Sequence, residues 1–498
     1  MYLRAGVFSL GLLLLSRILG LLRESVQAAA FGSTGMADAV IVMFTLPDLL
    51  VGVLVSGALS YVLLPLWAQQ SPSLRAIGQR KIAIALLGGG LVLGALVWLF
   101  NSAVVQVLAP GLTGAMKLVS AQALGWSAVV LPLAMLAALW VTRLQHERDF
   151  IGMYVGNLIV NLALVIGLIA VAKGLAPEIP ALTMLGIVLL LAMLGRLAWL
   201  AWRLPSGPQP TSGVQASPLP AANVWLWAAL SSGLLLVFPL LARSLASSGG
   251  EGALATFNYA WKLIELPLVL AVQLVASLAF PAITRTEPGS AERRQAVGLA
   301  FLVAWTLACA AIAAVATFSL PIATLLFGWG RMSAASLGVI AQWSAIGIWS
   351  LLPQALMAVL LSVMATHGRM RSAVAVLGVG LAVLLLVGSL GDLDNLESAR
   401  GSGVMWLLNS VFAGMAAALM WLERRSIKNT IAYFACLIPL VVSIGLVALK
   451  PLFIGLGITL TLIFCTVYGL LVIASALAAS PALRGALRRK TSAQSAAG

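Results

Sequence analysis

Long apolar stretches recur along the whole chain and limit its possible folds more than any other feature. Each is about 20 residues or longer, enough for a helix to cross the roughly 30 Å hydrocarbon core of a membrane. Inside that core every backbone N–H and C=O needs a partner within the protein, so the chain must cross as helices. Helices are predicted at 5–30, 36–68, 82–108, 119–145, 151–173, 180–203, 222–247, 253–283, 295–318, 335–366, 371–390, 402–422, 430–449 and 453–478.

The composition agrees with a membrane protein. The chain is 62% hydrophobic and 9% charged, whereas soluble domains are roughly 45–50% apolar and 25% charged. We therefore predict an all-α integral membrane protein with about 14 transmembrane helices. Its three cysteines all lie inside apolar stretches, with neither a disulfide framework nor metal-ligand spacing. Arg17 and Arg23 interrupt the first stretch, which favours a retained helix over a cleaved signal peptide.

The lysine and arginine residues predict the orientation. The net charge is +15, but these residues lie in short connections rather than on one soluble face, which argues against a nucleic-acid partner. Connections on one side are all basic, so that side and both termini are predicted to be cytoplasmic. The cytoplasmic set is Arg4, Arg75, Arg80, Lys81, Arg143, Arg148, Arg203, Arg285, Arg293, Arg294, Arg369, Arg371, Arg424, Arg425, Lys428, Arg484, Arg488, Arg489 and Lys490; the outer set is Lys117, Lys173, Arg243, Arg331, Arg400 and Lys450.

The longest connection between spans is rich in Pro, Ser and Gly and indicates a flexible linker. The predicted parts are an N-terminal lobe of six helices (1–203), the cytoplasmic linker (204–221), a C-terminal lobe of six helices (222–425), and two further helices with a basic tail (426–498). The fourth and tenth helices end in similar turns, His146-Glu147-Arg148 and His367-Gly368-Arg369. Such internal similarity is common in transporters, whose halves move about a site between them.

Charged side chains lie at membrane depth in the first span. Arg17 and Glu24 are seven residues apart and share a helical face, whereas Arg23 lies about 120° round from Arg17. An arginine near the bilayer centre costs roughly a few to more than ten kcal/mol, so it must face protein or a water-filled cavity. Snorkelling to the outer interface is the alternative, above all for Arg23 and Glu24.

Further charges lie in the second, sixth and eighth spans. Lys262 and Glu265 can pair on one face, either as a structural clamp or as part of a substrate path. Asp48 lies within the second helix, and Asp38 lies near its start, where an acid also favours the helix dipole with no further role. Arg196 is interpreted as snorkelling to the cytoplasmic interface. Cations within a helical bundle suit an anion such as a phosphate or diphosphate.

Catalytic signatures are missing from the sequence. It has no Walker-type phosphate loop, no H-E-x-x-H motif and no connection long enough for a soluble catalytic domain. We therefore predict a protein that is not an enzyme and needs no cofactor. Coupling to the membrane potential or to an ion is left open.

Motifs in helices 1, 2 and 8 carry a family resemblance. They are Ser16–Glu24, Phe31-Gly32, Ala37-Asp38-Ala39, Leu46–Leu50, Ser56-Gly57-Ala58 and Tyr259–Pro267. These segments resemble the MurJ (MviN) lipid II flippases of the multidrug/oligosaccharidyl-lipid/polysaccharide exporter superfamily. The resemblance implies two six-helix lobes around a central cationic cavity, with two added helices. It also implies alternating-access transport of an undecaprenyl-diphosphate-linked peptidoglycan precursor to the periplasmic leaflet of a bacterial inner membrane.

The resemblance also implies roles for individual residues. Arg17, Arg23 and Lys262 would bind the substrate; Glu24, Asp38, Asp48 and Glu265 would support the cavity. The sequence departs from the family where an arginine is usual in helix 2, since Leu49–Gly52 stand there, and Lys262 replaces an arginine. Some members bind sodium with acids of helices 7, 11 and 12. The corresponding spans here contain no Asp or Glu.

Four other functions compete with a lipid II flippase. One is a flippase for another undecaprenyl-linked oligosaccharide, and another is a MATE-like drug exporter, which would need acids and aromatics to recognise cations. An intramembrane transferase or polymerase would need positioned acid–base groups. A scaffold in a cell-wall complex would need no intact site. The chain is expected to contact membrane lipids and to act as a monomer, near cell-wall synthesis enzymes.

Overall fold

The computed structural model describes most of the chain, and that part is helical throughout, apart from turns and short connections. It covers residues 2–175, 177–205, 219–287, 290–391, 400–427, 430, 433–453, 455 and 457–485. Most of the predicted linker, the outer connection 392–399 and the basic tail from 486 lie outside these residues. The helices are α1 (Tyr2–Phe31), α2 (Gly35–Val53), α3 (Leu59–Gln69), α4 (Pro72–Leu99), α5 (Asn101–Leu108), α6 (Gly114–His146), α7 (Phe150–Ala172), α8 (Ala181–Arg203), α9 (Ala222–Ser247), α10 (Ala253–Arg285), α11 (Ala291–Phe327), α12 (Ala334–Gly347), α13 (Leu351–Thr366), α14 (Met370–Leu390), α15 (Arg400–Leu422), α16 (Arg424–Ile427), α17 (Tyr433–Ala448) and α18 (Ile458–Ala479).

The fold class is confirmed as an all-α membrane protein with many spans. Within the described residues, ten helices are long and apolar enough to cross a membrane, or eleven if the bent α9 counts as one span. The predicted second span is α2 and α3 joined through a π-helical turn, Leu54–Ala58. The predicted tenth span is α12 and α13 joined through a 3-10 turn, Ile348–Ser350. The total of fourteen spans stays a prediction.

The third predicted span differs most from the structure. It was expected at 82–108, but α4 begins at Pro72 and the helix is interrupted at Phe100. The Ser71 hydroxyl accepts a hydrogen bond from the Leu74 N–H at 3.5 Å, and proline occupies the first helical turn. Both features favour a helix start. Because the first turns of α4 are polar, an apolar pattern could not reveal them.

The described helices form two compact units. Unit 1 comprises residues 1–256 with 326–333, and unit 2 comprises 257–325 with 334–498. The predicted C-terminal lobe began at residue 222, whereas α9 packs within unit 1. Glycines allow this close packing, because a Cβ at Gly233 would lie 3.2 Å from Val53 and one at Gly52 would lie 3.1 Å from Leu236. Small residues bring apolar helices together in this way in membranes.

Unit 1 is built around α6, which packs against α2, α4 and α8. A Cβ added to Gly90 of α4 would lie 2.6 Å from Pro132 of α6, so the two backbones nearly touch. The Ser127 hydroxyl of α6 donates to the Met43 carbonyl of α2. Both α2 and α8, which carry charged residues of the candidate site, are therefore held by the same helix, α6.

In unit 2 the last helices are fixed to α11 by aromatic packing. Phe318, Phe453 and Tyr468 meet edge to face, with ring centroids 5.2–5.7 Å apart. The Trp305 indole N–H donates to the Cys436 carbonyl at 2.8 Å. Such ring pairs add stability beyond the area they bury, so α17 and α18 are part of unit 2.

Candidate functional site

Arg23 of α1 contacts two carboxylates, Glu24 on its own helix and Asp48 on α2. Its Nη2 donates to Glu24 Oε1 at 2.9 Å and lies 3.5 Å from Asp48 Oδ2. The guanidinium also lies over the Phe44 ring, 5.5 Å from its centroid. Arg23 and Glu24 are largely buried, whereas the Asp48 side chain is 61% exposed. The structure therefore brings together three predicted site residues, and two acids balance the Arg23 charge.

Arg17 differs from Arg23, because no acid among the described residues pairs with it. It is exposed on α1, and it makes no hydrogen bond or ion pair with any residue that the structure describes. Its positive charge interacts electrostatically with the Tyr154 side chain of α7, and α1 packs against that helix. Arginine provides five N–H donors in a planar fork that matches phosphate oxygens. Arg17 thus offers an uncompensated cation in unit 1.

Asp38 anchors the beginning of α10. Its carboxylate is 1% exposed and accepts hydrogen bonds from the Gly252 N–H at 2.6 Å and the Ala255 N–H at 2.7 Å. The first N–H groups of a helix lack partners within the helix, and an acidic side chain satisfies them well. Two roles were predicted for Asp38, support of the cavity and a favourable interaction with the dipole of its own helix, and the structure adds this third one. Its support of a cavity stays a prediction.

Lys262 and Glu265 pair on α10 within unit 2, as their spacing predicted. Nζ of Lys262 lies 2.8 Å from Oε2 of Glu265, and both side chains are about a quarter to a third exposed. The flanking residues Tyr259 and Trp261 are buried. The lysine is therefore held by its own helix. Two functions remain open for this pair, a structural clamp and a site for an anion that displaces the carboxylate.

The prediction that Arg196 snorkels to the interface is wrong. Snorkelling would leave its guanidinium in water, but the residue is 4% exposed within unit 1. Its Cγ lies 3.5 Å from the position of a Cβ on Gly156 of α7, so the missing side chain of that glycine makes room for the arginine. Burial of this kind depends on neighbouring helices, which α8 alone does not reveal.

The two predicted turn motifs share a backbone conformation, but their residues align differently from the alignment that the sequence suggested. A residue in the left-handed region follows each helix, Arg148 (φ 60°) after α6 and Gly368 (φ 68°) after α13. In both turns the next N–H bonds a carbonyl five residues earlier at 2.9 Å, which closes a Schellman turn. Arg148 and Gly368 are therefore equivalent, and the two histidines, His146 and His367, are offset by one residue.

Both histidines lie among charged groups at the ends of their helices. His146 Nδ1 is 3.4 Å from Glu147 Oε1, a carboxylate that also bonds Arg143 at 2.6 Å. His367 Nδ1 is 3.1 Å from Oε2 of the buried Glu423, which Arg369 contacts at 2.9 Å. Glu423 joins the end of α15 to the turn after α13, and Glu147 at the end of α6 also lies 3.6 Å from Arg75 of α4. No group of three or more possible metal ligands occurs in the described part of the chain.

Comparisons with known proteins agree with one another. A family model described as lipid II flippase MurJ matches residues 27–467. A "Probable lipid II flippase MurJ" of Rickettsia prowazekii (strain Madrid E) is 39% identical over 67 residues, 14% of this chain and 13% of that protein. The lipid II flippase MurJ of Burkholderia cenocepacia is 25% identical over 362 residues, 67% of each chain. A solved lipid II flippase MurJ in the inward closed conformation shares the fold, with TM-score 0.77 and 15% identity over 94% of this chain and 97% of that one.

Proposed function

Because this chain belongs to the MurJ family of lipid II flippases, we propose that it moves lipid II across the bacterial inner membrane by alternating access. The substrate would enter from the cytoplasmic leaflet and leave from the periplasmic leaflet, where its disaccharide-pentapeptide serves cell-wall synthesis. The observation that carries this proposal is the free cation of α1, Arg17, at membrane depth. Such a residue is expensive in a bilayer and is retained where it serves a substrate path.

The diphosphate is the part of lipid II that these cations would recognise. Charge-assisted hydrogen bonds from arginine to phosphate oxygens are short and about twice as strong as neutral ones. Arg17 has its donors free for such bonds within the described residues. Arg23 and Lys262 are each paired with an acid, which offsets the cost of keeping them away from water. The substrate would compete for them with these acids.

The membrane potential is a suitable driving force for this substrate. Moving one charge through 100 mV is worth about 2.3 kcal/mol, and the diphosphate carries roughly two negative charges. Transport from an inside that is negative to the outside is therefore favourable without a cofactor. We propose that the chain acts as a monomer with both termini in the cytoplasm, where the basic connections lie. Cell-wall synthesis enzymes would receive the product.

Complementation of a strain depleted of its own lipid II flippase tests this function. The wild-type chain should restore growth, and Arg17→Ala and Lys262→Ala should not. Arg80→Ala is the matched control, because Arg80 is an exposed basic residue of α4 and is not among the predicted site residues. Normal growth with both Arg17→Ala and Lys262→Ala, at wild-type protein levels, would contradict the assignment.

The acidic side chains already have partners, which argues against a drug exporter. A site for cationic drugs needs a carboxylate ready to receive a positive charge. Glu24, Asp48 and Glu265 each lie within 3.5 Å of a basic group, and Asp38 is engaged by two backbone amides. Transport of an anion is therefore the function that the charges support.

A further inference from the structure

Arg196 is a buried cation for which unit 1 provides no hydrogen bond. The residue is 4% exposed, and its Nε is buried without a hydrogen-bond partner among the described residues. None of those residues hydrogen-bonds its guanidinium at all. An unpaired charge of this kind is costly, and a well-packed apolar side chain in its place is often neutral or stabilising. Stability therefore does not explain why an arginine stands here.

Asp48 of α2 and Arg196 of α8 lie on helices that both pack against α6, and Asp48 is the acid whose charge reaches Arg196. Arg17, Asp48 and Arg196 all lie about 20 Å from the predicted outer ends of their helices, since an α-helix rises 1.5 Å per residue. Asp48 is mostly exposed and already lies 3.5 Å from Arg23. Two arginines thus compete for one carboxylate. Arg23 is paired with it in this structure, and Arg196 is not.

This arrangement has a consequence for binding of an anion. A diphosphate that approaches Arg23 meets the negative charge of Asp48 beside it, and like charges at short range repel. If Asp48 turned to Arg196, the repulsion at Arg23 would fall and the buried Arg196 would gain a partner. Both changes favour the state with substrate bound.

We propose that Arg196 is the alternate partner of Asp48 and that the exchange of this carboxylate from Arg23 to Arg196 frees Arg23 for the diphosphate of the substrate. Arg196 is thus a positioning residue and does not touch the substrate. The inference rests on the proposed function, because it assigns a role within the same site. It also gives a role to an arginine that is 4% exposed and has no hydrogen-bond partner among the described residues.

A double-mutant cycle on lipid II binding tests the exchange. The full-length protein in nanodiscs would be titrated with lipid II. Arg196→Met should weaken binding by about tenfold or more, because Asp48 then stays with Arg23. Asp48→Asn should bind at least as well as the wild type. The double variant should bind like Asp48→Asn, since without the carboxylate no alternate partner is needed.

Control variants separate this role from others. Arg203→Gln removes an arginine from the same helix, one that pairs with Asp149 at 2.7 Å, and should leave lipid II affinity unchanged. Arg196→Lys keeps the charge, so its affinity should stay within a few-fold of the wild type even if the methionine variant fails to fold. Thermal unfolding of each variant should show Arg196→Met to be as stable as the wild type.

Each contrary outcome has a distinct meaning. If the wild-type chain does not bind lipid II, the proposed function fails and the exchange fails with it. If the wild type binds and Arg196→Met binds equally well, the exchange alone is refuted. If the double variant stays as weak as Arg196→Met, Arg196 acts on the substrate itself and the exchange is again refuted. Loss of stability that parallels loss of affinity in every Arg196 variant would indicate a purely structural role.

Discussion

Replacing Asp38 by alanine removes the acceptor of two buried N–H groups at the start of α10. The carboxylate bonds the Gly252 and Ala255 amides at 2.6 and 2.7 Å. A buried donor left without a partner costs about 1–3 kcal/mol. Two such donors give roughly 4 kcal/mol for Asp38→Ala. Asp38→Asn keeps one acceptor oxygen, so about half of that loss is expected.

Amide hydrogen exchange of the intact protein in nanodiscs measures this effect locally. Because about 1.4 kcal/mol corresponds to a factor of ten, exchange at residues 252–256 should become several hundredfold faster in Asp38→Ala. In Asp38→Asn it should become roughly thirtyfold faster. Thermal unfolding would show whether the loss extends beyond α10.

Asp48→Ala is the matched control for this experiment, because it removes an acid from the same helix. Its side chain is 61% exposed and its partner Arg23 keeps Glu24. Exposed ion pairs contribute only about 0–1 kcal/mol, so exchange at 252–256 should hardly change. Acceleration of less than about tenfold in Asp38→Ala, which corresponds to less than about 1.4 kcal/mol, would refute the capping role. Equal acceleration in both variants would refute it too.

Three further predictions concern charge. Arg17→Ala should weaken lipid II binding roughly thirtyfold, the loss expected for a hydrogen bond to a charged group. An unchanged affinity for lipid II in a binding titration would contradict this. Glu265→Gln should strengthen binding a few-fold because it removes the negative charge that pairs with Lys262 at 2.8 Å, whereas weaker binding would indicate that Glu265 contacts the substrate. Burial disfavours the Asp149 carboxylate, but hydrogen bonds from Arg203 and from a backbone N–H outweigh it and hold the pKa of Asp149 below its usual value. A carboxylate whose pKa is lowered by folding stabilises the protein at pH values above its unfolded pKa of about 4, and this stabilisation is lost as pH falls through the folded pKa. Between pH 6 and 3, Asp149→Asn should therefore lose less unfolding free energy than the wild type.

The helices could be predicted because their signal is local. Runs of apolar residues revealed every long helix, from α1 to α18, and the motifs of helices 1, 2 and 8 identified the charged residues. The polar start of α4 was missed, since its capping by Ser71 and Pro72 carries no apolar signal. The offset between Arg148 and Gly368 was also missed, because backbone conformation rather than residue identity relates the two turns.

Partners that lie on different helices could not be predicted, whereas partners on one helix could. The spacing showed that Lys262 and Glu265 share a face, since both lie on one helix. The contact of Arg23 with Asp48, by contrast, depends on how α1 and α2 pack, and the burial of Arg196 depends on Gly156 across from it. Such contacts between distant segments depend on how the helices pack, and the sequence of one helix alone does not contain that information.

Arg148 bears on how the chain is made as well as on how it is folded. A side chain in the left-handed region is strained by roughly 1 kcal/mol relative to glycine, and the equivalent turn after α13 uses glycine. Arg148→Gly should therefore stabilise the folded protein. We expect the arginine to act earlier, during biogenesis, because basic turns are typical of the cytoplasmic side of a membrane protein and help to set its orientation. Glycine at this position would give a more stable turn but would remove that charge.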